Sequence, residues 1–246
     1  MISIMRTLIF FLFVFSACSE TLLRTSVEKP YRASSFPENE ELCDSWRLSV
    51  ETNNAGPWEK IPEVCVPNVI SYVKGDTYYL DSKVVAMESL KFANTVEIAG
   101  DGKDVWIFDI DDTLVSSVIY ITLHGRRPTA EEYQLSPPLP ASVWLYNIFL
   151  DRGFKIVLLT GRNESLRELT ETNLLFAGYN SWDRLIMRGE SDADKTATVY
   201  KSEKRAELVA EGYKIHGSSG DQWSDLLGSP VATRSFKLPN PMYYIP

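Results

Sequence analysis

From residue 105 onward, short apolar runs alternate with segments of helical spacing, and this alternation narrows the fold more than any other feature of the chain. Strand candidates at 105–111, 155–160, 184–188 and 213–216 are separated by helical candidates at 140–152, 164–176 and 201–211. Gly178 and Gly212 close the last two helices, and a short helix is expected near Trp223. Strands buried on both faces read as continuous apolar runs, and a strand–helix–strand order brings successive strands into one parallel sheet. The expectation is an α/β fold, a Rossmann-like parallel sheet with helices on both faces. In such a sheet the C-terminal strand ends open on one crevice, so the residues found there carry most of the functional information.

The first strand runs into Asp109-Ile110-Asp111-Asp112-Thr113. Side chains alternate along a strand, which places Asp109 and Asp111 on one face and sends Asp112 to the other as a solvated or structural group. Two like charges at a strand end are unfavourable unless a cation lies between them, and a hard divalent ion with oxygen ligands, Mg²⁺, is the expected answer. The second strand ends at Thr160-Gly161-Arg162, with a helix expected from about Asn163. A hydroxyl and the N–H groups of a helix start suit a phosphate oxygen. Asn163-Glu164-Ser165 is formally a glycosylation sequon, but Asn163 also suits a helix cap. Lys201 opens the third helical run, and the fourth strand leads to Gly220-Asp221-Gln222-Trp223-Ser224-Asp225. No G-x-G-x-x-G or P-loop pattern follows a strand.

Taken in order, an aspartate pair, a threonine, a lysine and a second aspartate pair resemble the four motifs of the haloacid dehalogenase superfamily. Within it, the chain resembles the plant acid phosphatases of class B type and the vegetative storage proteins. The resemblance runs through Cys43-Asp44-Ser45-Trp46, Thr160-Gly161-Arg162, Asn173-Leu174-Leu175-Phe176-Ala177-Gly178-Tyr179, Tyr200-Lys201-Ser202-Glu203-Lys204-Arg205, Gly220-Asp221-Gln222-Trp223-Ser224-Asp225-Leu226 and the closing stretch at 236–245. It implies a phosphatase core at 101–246 with a short cap insert near 116–140, where the Gly- and aromatic-rich segment of the family is shortened. An N-terminal lead-in and helical appendage would occupy 20–100.

The same resemblance implies Mg²⁺-dependent hydrolysis of a small-molecule phosphomonoester. Asp109 would be the nucleophile, forming an aspartyl-phosphate and binding the metal. Asp111 would transfer the proton and give its backbone carbonyl to the metal, and Asp221 would complete the metal site. Thr160, Gly161, Arg162 and Lys201 would bind phosphate. Asp225 would hold a metal-bound water or the lysine. Lys201 is favoured over Lys195 because Lys201-Ser202 followed by Arg205 matches the family pattern, whereas Lys195 lies in a polar loop. His124 and His216 have no part in this chemistry. The alternative is a vegetative storage or defence protein with weak or no phosphatase activity.

With 246 residues and 44% hydrophobic content, the chain can bury one substantial core. A formal net charge of -8 argues against a nucleic-acid surface. Arg6 followed by an apolar run at 8–15 and a small-x-small pair, Ala17 and Ser19, predicts a signal peptide at 1–19. The mature protein would then have no membrane anchor and would enter the secretory pathway, bound for the vacuole or the exterior. Cleavage removes Cys18 and leaves Cys43 and Cys65, an even pair in an oxidising compartment, which predicts a disulfide. Between 67 and 93, Val69, Ile70 and Val73, then Val84, Met87, Leu90 and Ala93, recur at helical spacing around Gly75-Asp76. Two amphipathic helices are expected there, packed on the main domain or on a partner, and a homodimer is left open.

Overall fold

Five parallel strands in the spatial order β3-β2-β1-β4-β5 form the sheet of the computed structural model, which describes residues 39–124, 129, 132 and 136–246. The expected signal peptide at 1–19, the lead-in as far as residue 38 and the middle of the expected cap insert lie outside the described residues. β1 (Asp104–Phe108) is central, flanked by β2 (Lys155–Asn163) and β4 (Lys214–Gly220), with β3 (Arg184–Arg188) and β5 (Arg234–Lys237) at the edges. The helices are α1 (Asn39–Glu51), α2 (Val66–Lys74), α3 (Asp76–Ala93), α4 (Val118–His124), α5 (Pro140–Asp151), α6 (Arg167–Phe176), α7 (Ala197–Ala210) and α8 (Trp223–Leu226). Among the described residues no helix is long and apolar enough to cross a membrane.

The chain steps from β1 through β2 to β3 on one side and then crosses to β4 on the other. The direction of winding therefore reverses between β1 and β4, and an open α/β sheet has its crevice at such a point. Every residue of β1 is buried, as an apolar run covered on both faces requires. Trp106 and Phe108 face a layer containing Leu145, Tyr146 and Phe149 of α5, Ala86 and Ala93 of α3, and Leu174 of α6. Val105 and Ile107 face the opposite layer, where Val157 and Leu159 meet Tyr200 and Leu208 of α7. The expected arrangement of helices on both faces of a parallel sheet is what the chain adopts.

Trp106 sets the packing of the first layer. Its ring centroid lies 4.2 Å from that of Phe149 and 5.4 Å from that of Phe236, and its Nε1–H donates to Ser219 Oγ at 3.0 Å. A Cβ at position 217 would come within 2.5 Å of the Trp106 indole, so β4 can lie beside this ring only with Gly217. β5 was not expected from the sequence. Only Phe236 of its four residues is buried, so it carries no apolar run, and it forms because β4 offers it a free edge.

The helical appendage divides at Gly75 as expected, but its buried face differs. Val84 and Met87, expected in the core, are 58% and 53% exposed. The buried stripe of α3 is Tyr78, Ser82, Ala86, Ser89 and Ala93. Small side chains let α3 approach α5 closely, and the two serines bond back to Tyr78 and Val85 carbonyls at 2.8 Å, so neither serine hydroxyl is left unpaired. Cys43 of α1 and Cys65, just before α2, form a disulfide with Cα atoms 5.2 Å apart.

Candidate active site

β1 ends at Phe108, and a tight loop presents the first acidic pair. The Asp109 N–H donates to the Ser219 carbonyl at 2.9 Å, and the Ile110 carbonyl accepts N–H bonds from Thr113, Leu114 and Val115. Asp109 and Asp111 therefore do not project from one face of a continuing strand. The chain turns at Asp112, whose φ of 54° lies in the left-handed region that Asp tolerates better than most residues. Asp112 is buried, not solvated. Its carboxylate accepts from the Ser117 N–H at 2.8 Å, the Ser117 hydroxyl at 2.5 Å and the Tyr243 hydroxyl at 2.5 Å, which fixes the loop.

β2 continues through Asn163, past its expected end at Thr160. A three-residue 3₁₀ turn, Glu164–Leu166, then leads to α6. The Asn163 side chain accepts the Ser165 N–H at 2.9 Å and so caps the short turn where a longer helix was expected to begin. Pairing with β3 shifts register between Leu159 and Asn163, and within that irregularity Gly161 and Arg162 border the cleft while Thr160 does not. Gly161 lines the cleft, and the space beside its Cα is open. Thr160 is buried, and its hydroxyl accepts the Arg162 N–H at 3.1 Å. The Arg162 guanidinium, expected with the phosphate group, is turned to Asp111, with Nε 3.2 Å from both carboxylate oxygens and Nη2 2.8 Å from Oδ1.

Thr196 caps α7 through its side chain, which accepts the Val199 N–H, so the helix begins at Ala197 and Lys201 lies inside it rather than opening it. This puts Lys201 on the buried face, with Nζ 2.6 Å from Asp109 Oδ1 and 2.5 Å from Asp225 Oδ1. Lys195 instead pairs with Asp192 and Glu203. After β4, Asp221 accepts hydrogen bonds from Thr113 Oγ1 at 3.1 Å, Gln222 Nε2 at 2.8 Å and Asn240 Nδ2 at 2.6 Å. Asp225 accepts the Gln222 N–H at 2.9 Å. A Cβ at position 220 would lie 2.4 Å from the Asp225 side chain, so Gly220 is what permits this carboxylate to fold back over the strand end.

Asp109, Asp221 and Asp225 each bring an oxygen within 4.8 Å of the other two. Of these three carboxylates, Asp109 and Asp225 share the single ammonium of Lys201, and all four groups are buried. Burial pushes the Asp109 carboxyl well above its usual range; Lys201 opposes this, and Asp225, Asp221 and Asp111 add to it. Asp221 is pushed up to about 7 by burial and by Asp225 and Asp112. Burial works against the Lys201 charge, but Asp109 and Asp225 prevail and raise its pKa. Ser224, also on the cleft, has a buried hydroxyl with no hydrogen-bond partner among the described residues. Excess negative charge, oxygen donors only and an orphaned hydroxyl together fit a divalent metal ion.

The cleft has a volume of about 350 Å³, and the acids form one part of its lining. Leu166, Arg188, Ala197, Tyr243 and Ile245 also line it, none of them anticipated as site residues. The closing segment is tied in place by the Ile245 N–H to Gln222 Oε1 at 3.0 Å and by the Ala197 N–H to the Pro246 carbonyl at 2.8 Å. It has no periodicity to mark it, and its only signal in the sequence was its share in the family resemblance. His216 pairs with Asp104 at 2.8 Å, and neither His216 nor His124 lines the cleft.

Residues 32–246 match the family model described as HAD superfamily, subfamily IIIB (Acid phosphatase). Acid phosphatase 1 of Solanum lycopersicum is 47% identical over 223 residues, which cover 85% of this chain and 88% of that protein. Vegetative storage protein 1 of Arabidopsis thaliana is 38% identical over 215 residues, covering 83% and 79%. Among solved structures, the class C acid phosphatase from Bacillus anthracis with tungstate bound matches with a TM-score of 0.52 at 16% identity, covering 83% of this chain and 86% of that one, a likeness of fold.

Proposed function

This chain belongs to the HAD superfamily, subfamily IIIB, and is an acid phosphatase; from that membership we propose that it hydrolyses small phosphomonoesters through an aspartyl-phosphate on Asp109, with Mg²⁺ as its metal. The observation that carries this reading is the placement of Asp109 at the end of β1, against Lys201 and beside Asp221 and Asp225. Asp109 attacks phosphorus and the leaving oxygen departs, dividing hydrolysis into two easier displacements. Asp111 gives a proton to the departing oxygen and then takes one from the water that attacks the phosphoenzyme, releasing phosphate and restoring Asp109. Lys201 offsets the charge on Asp109 and on the phosphoryl oxygens, while Asp225 keeps the ammonium in place. The Thr160 hydroxyl and the backbone at Gly161 orient the oxygens that do not react.

Asp109, Asp221 and the backbone carbonyl of Asp111 would hold Mg²⁺, which when bound supplies positive charge to offset that of the phosphoryl group. The Cys43–Cys65 bond supports an oxidising compartment, which we assign to the secretory pathway with the vacuole or the exterior as destination. A storage role draws only on the names of relatives, no relative is named for defence, and Asp109, Asp111, Thr160, Lys201 and Asp221 are all present here, so hydrolysis stands first. The test is turnover of an aryl phosphate at mildly acidic pH, with Mg²⁺ and after chelation. Turnover should need the metal and vanish in Asp109→Asn. Equal rates in wild type and Asp109→Asn would end the proposal.

A further inference from the structure

Asp111 stands on a loop beyond the end of β1, where the sheet no longer sets the direction of its side chain. Arg162 takes over that task. Its guanidinium is 3% exposed and grips the carboxylate with two prongs, Nε at 3.2 Å from both oxygens and Nη2 at 2.8 Å from Oδ1. A planar fork of this kind fixes the plane of a carboxylate as well as its distance. The guanidinium is itself supported by α6: Nη1 donates to Thr170 Oγ1 at 3.2 Å and Nη2 to Asn173 Oδ1 at 3.5 Å. Asn173 in turn donates through Nδ2 to the Ser136 carbonyl at 3.1 Å. Thr170 and Asn173 are both fully buried. A buried polar chain of this length is unfavourable unless each member is held by the next, which is what makes it a rigid support.

Resting on the proton-transfer role proposed above for Asp111, we infer that Arg162 is a positioning residue for that carboxyl group rather than a ligand of the phosphoryl group, with Thr170 and Asn173 fixing the guanidinium. The two roles have different consequences. A guanidinium bound to the phosphoryl group would matter equally for every ester and for phosphate itself. One that aims Asp111 at the leaving oxygen matters in proportion to that oxygen's need for a proton.

Arg162→Lys and Asn173→Ala, assayed with saturating Mg²⁺, separate them. On a simple alkyl phosphate, whose leaving group is strongly basic, Arg162→Lys should lower kcat by roughly 10- to 100-fold. On a nitrophenyl-type phosphate the loss should stay under about 3-fold, and inhibition by inorganic phosphate should change by less than about 2-fold. Asn173→Ala should show the same ester-dependent loss at smaller size, and it decides the matter alone if Arg162→Lys does not fold, as circular dichroism will reveal. In an Asp111→Asn background, Arg162→Lys should add less than about 2-fold on the alkyl ester, because it acts through the group already removed. Equal losses on both esters, or inhibition by phosphate weakened about tenfold, would overturn the inference. If Asp111→Asn itself hydrolysed the alkyl ester at the wild-type rate, the proton-transfer reading would fall and this inference with it. A slow Asp111→Asn beside an unaffected Arg162→Lys would remove the positioning role alone.

Discussion

Gly220 lets two acids share one site, because any side chain there would occupy the place of the Asp225 carboxylate. Gly220→Ala should therefore destabilise the fold by about 1–3 kcal/mol and loosen the hold of Asp225 on Lys201. Urea midpoints and turnover should fall together, and a variant with wild-type values for both would show that Asp225 can shift without consequence. The first acidic pair is separable in the same way. Asp109→Asn should abolish the phosphoenzyme, whereas Asp111→Asn should slow turnover by roughly 10²- to 10⁴-fold, least for a weakly basic leaving group. Rapid quench should label Asp109 alone; label on Asp221 or Asp225 would reassign the nucleophile.

Strand ends carry more than catalysis. At the opposite end of the sheet from the cleft, the first residue of β1 is tied to β4. Asp104 accepts the Ala99 N–H at 2.7 Å and pairs with His216 Nε2 at 2.8 Å. Burial alone would raise the Asp104 carboxyl, but the His216 and Ala99 bonds outweigh it and hold the pKa below its ordinary value. A carboxyl depressed in the folded state contributes stability that is present above its unfolded value and lost as pH falls through the folded one. Asp104→Asn should cost about 1–2 kcal/mol at neutral pH. The gap from wild type should persist to about pH 4 and close below it, as urea titrations from pH 7 to 3 would record. A gap that widened on acidification would mean that the contact has been misread.

For the molecule as a whole, the disulfide is the one covalent link between distant parts of the described chain. It spans 22 residues and joins α1 to the turn before α2. Closing a loop of that length contributes about 3 kcal/mol in the chain-entropy model, so Cys43→Ser with Cys65→Ser should lower stability by that order. Alkylation without reductant should leave both cysteines unmodified. The helical appendage to which it belongs is not a detached ornament: α3 lies on α5, and the Phe92 ring of α3 is tilted against Trp106 and Phe236 with centroids 6.2 and 5.9 Å away.

β1 to β4, the helices α5, α6 and α7 between them and the split of the appendage at Gly75 were legible because each rests on a local signal: an apolar run, a helical period or a breaking glycine. The chain order of Asp109, Thr160, Lys201 and Asp221 was legible for the same reason, since each stands at or near an end of a readable element. β5 was not, because one buried side chain makes no pattern and the strand exists only as a partner for the edge of β4. The face of α3 was misread in part: Leu90 and Ala93 pack on the core as expected, but close packing selected small residues over Val84 and Met87. Arg162 shows the limit most clearly. Sequence placed it beside Thr160 and Gly161 with the phosphate ligands, but only the approach of the β1 loop to α6 decided where its guanidinium points. Local free-energy preferences are written in neighbouring residues; the partner of a long, charged side chain is chosen by whatever the fold brings within its reach.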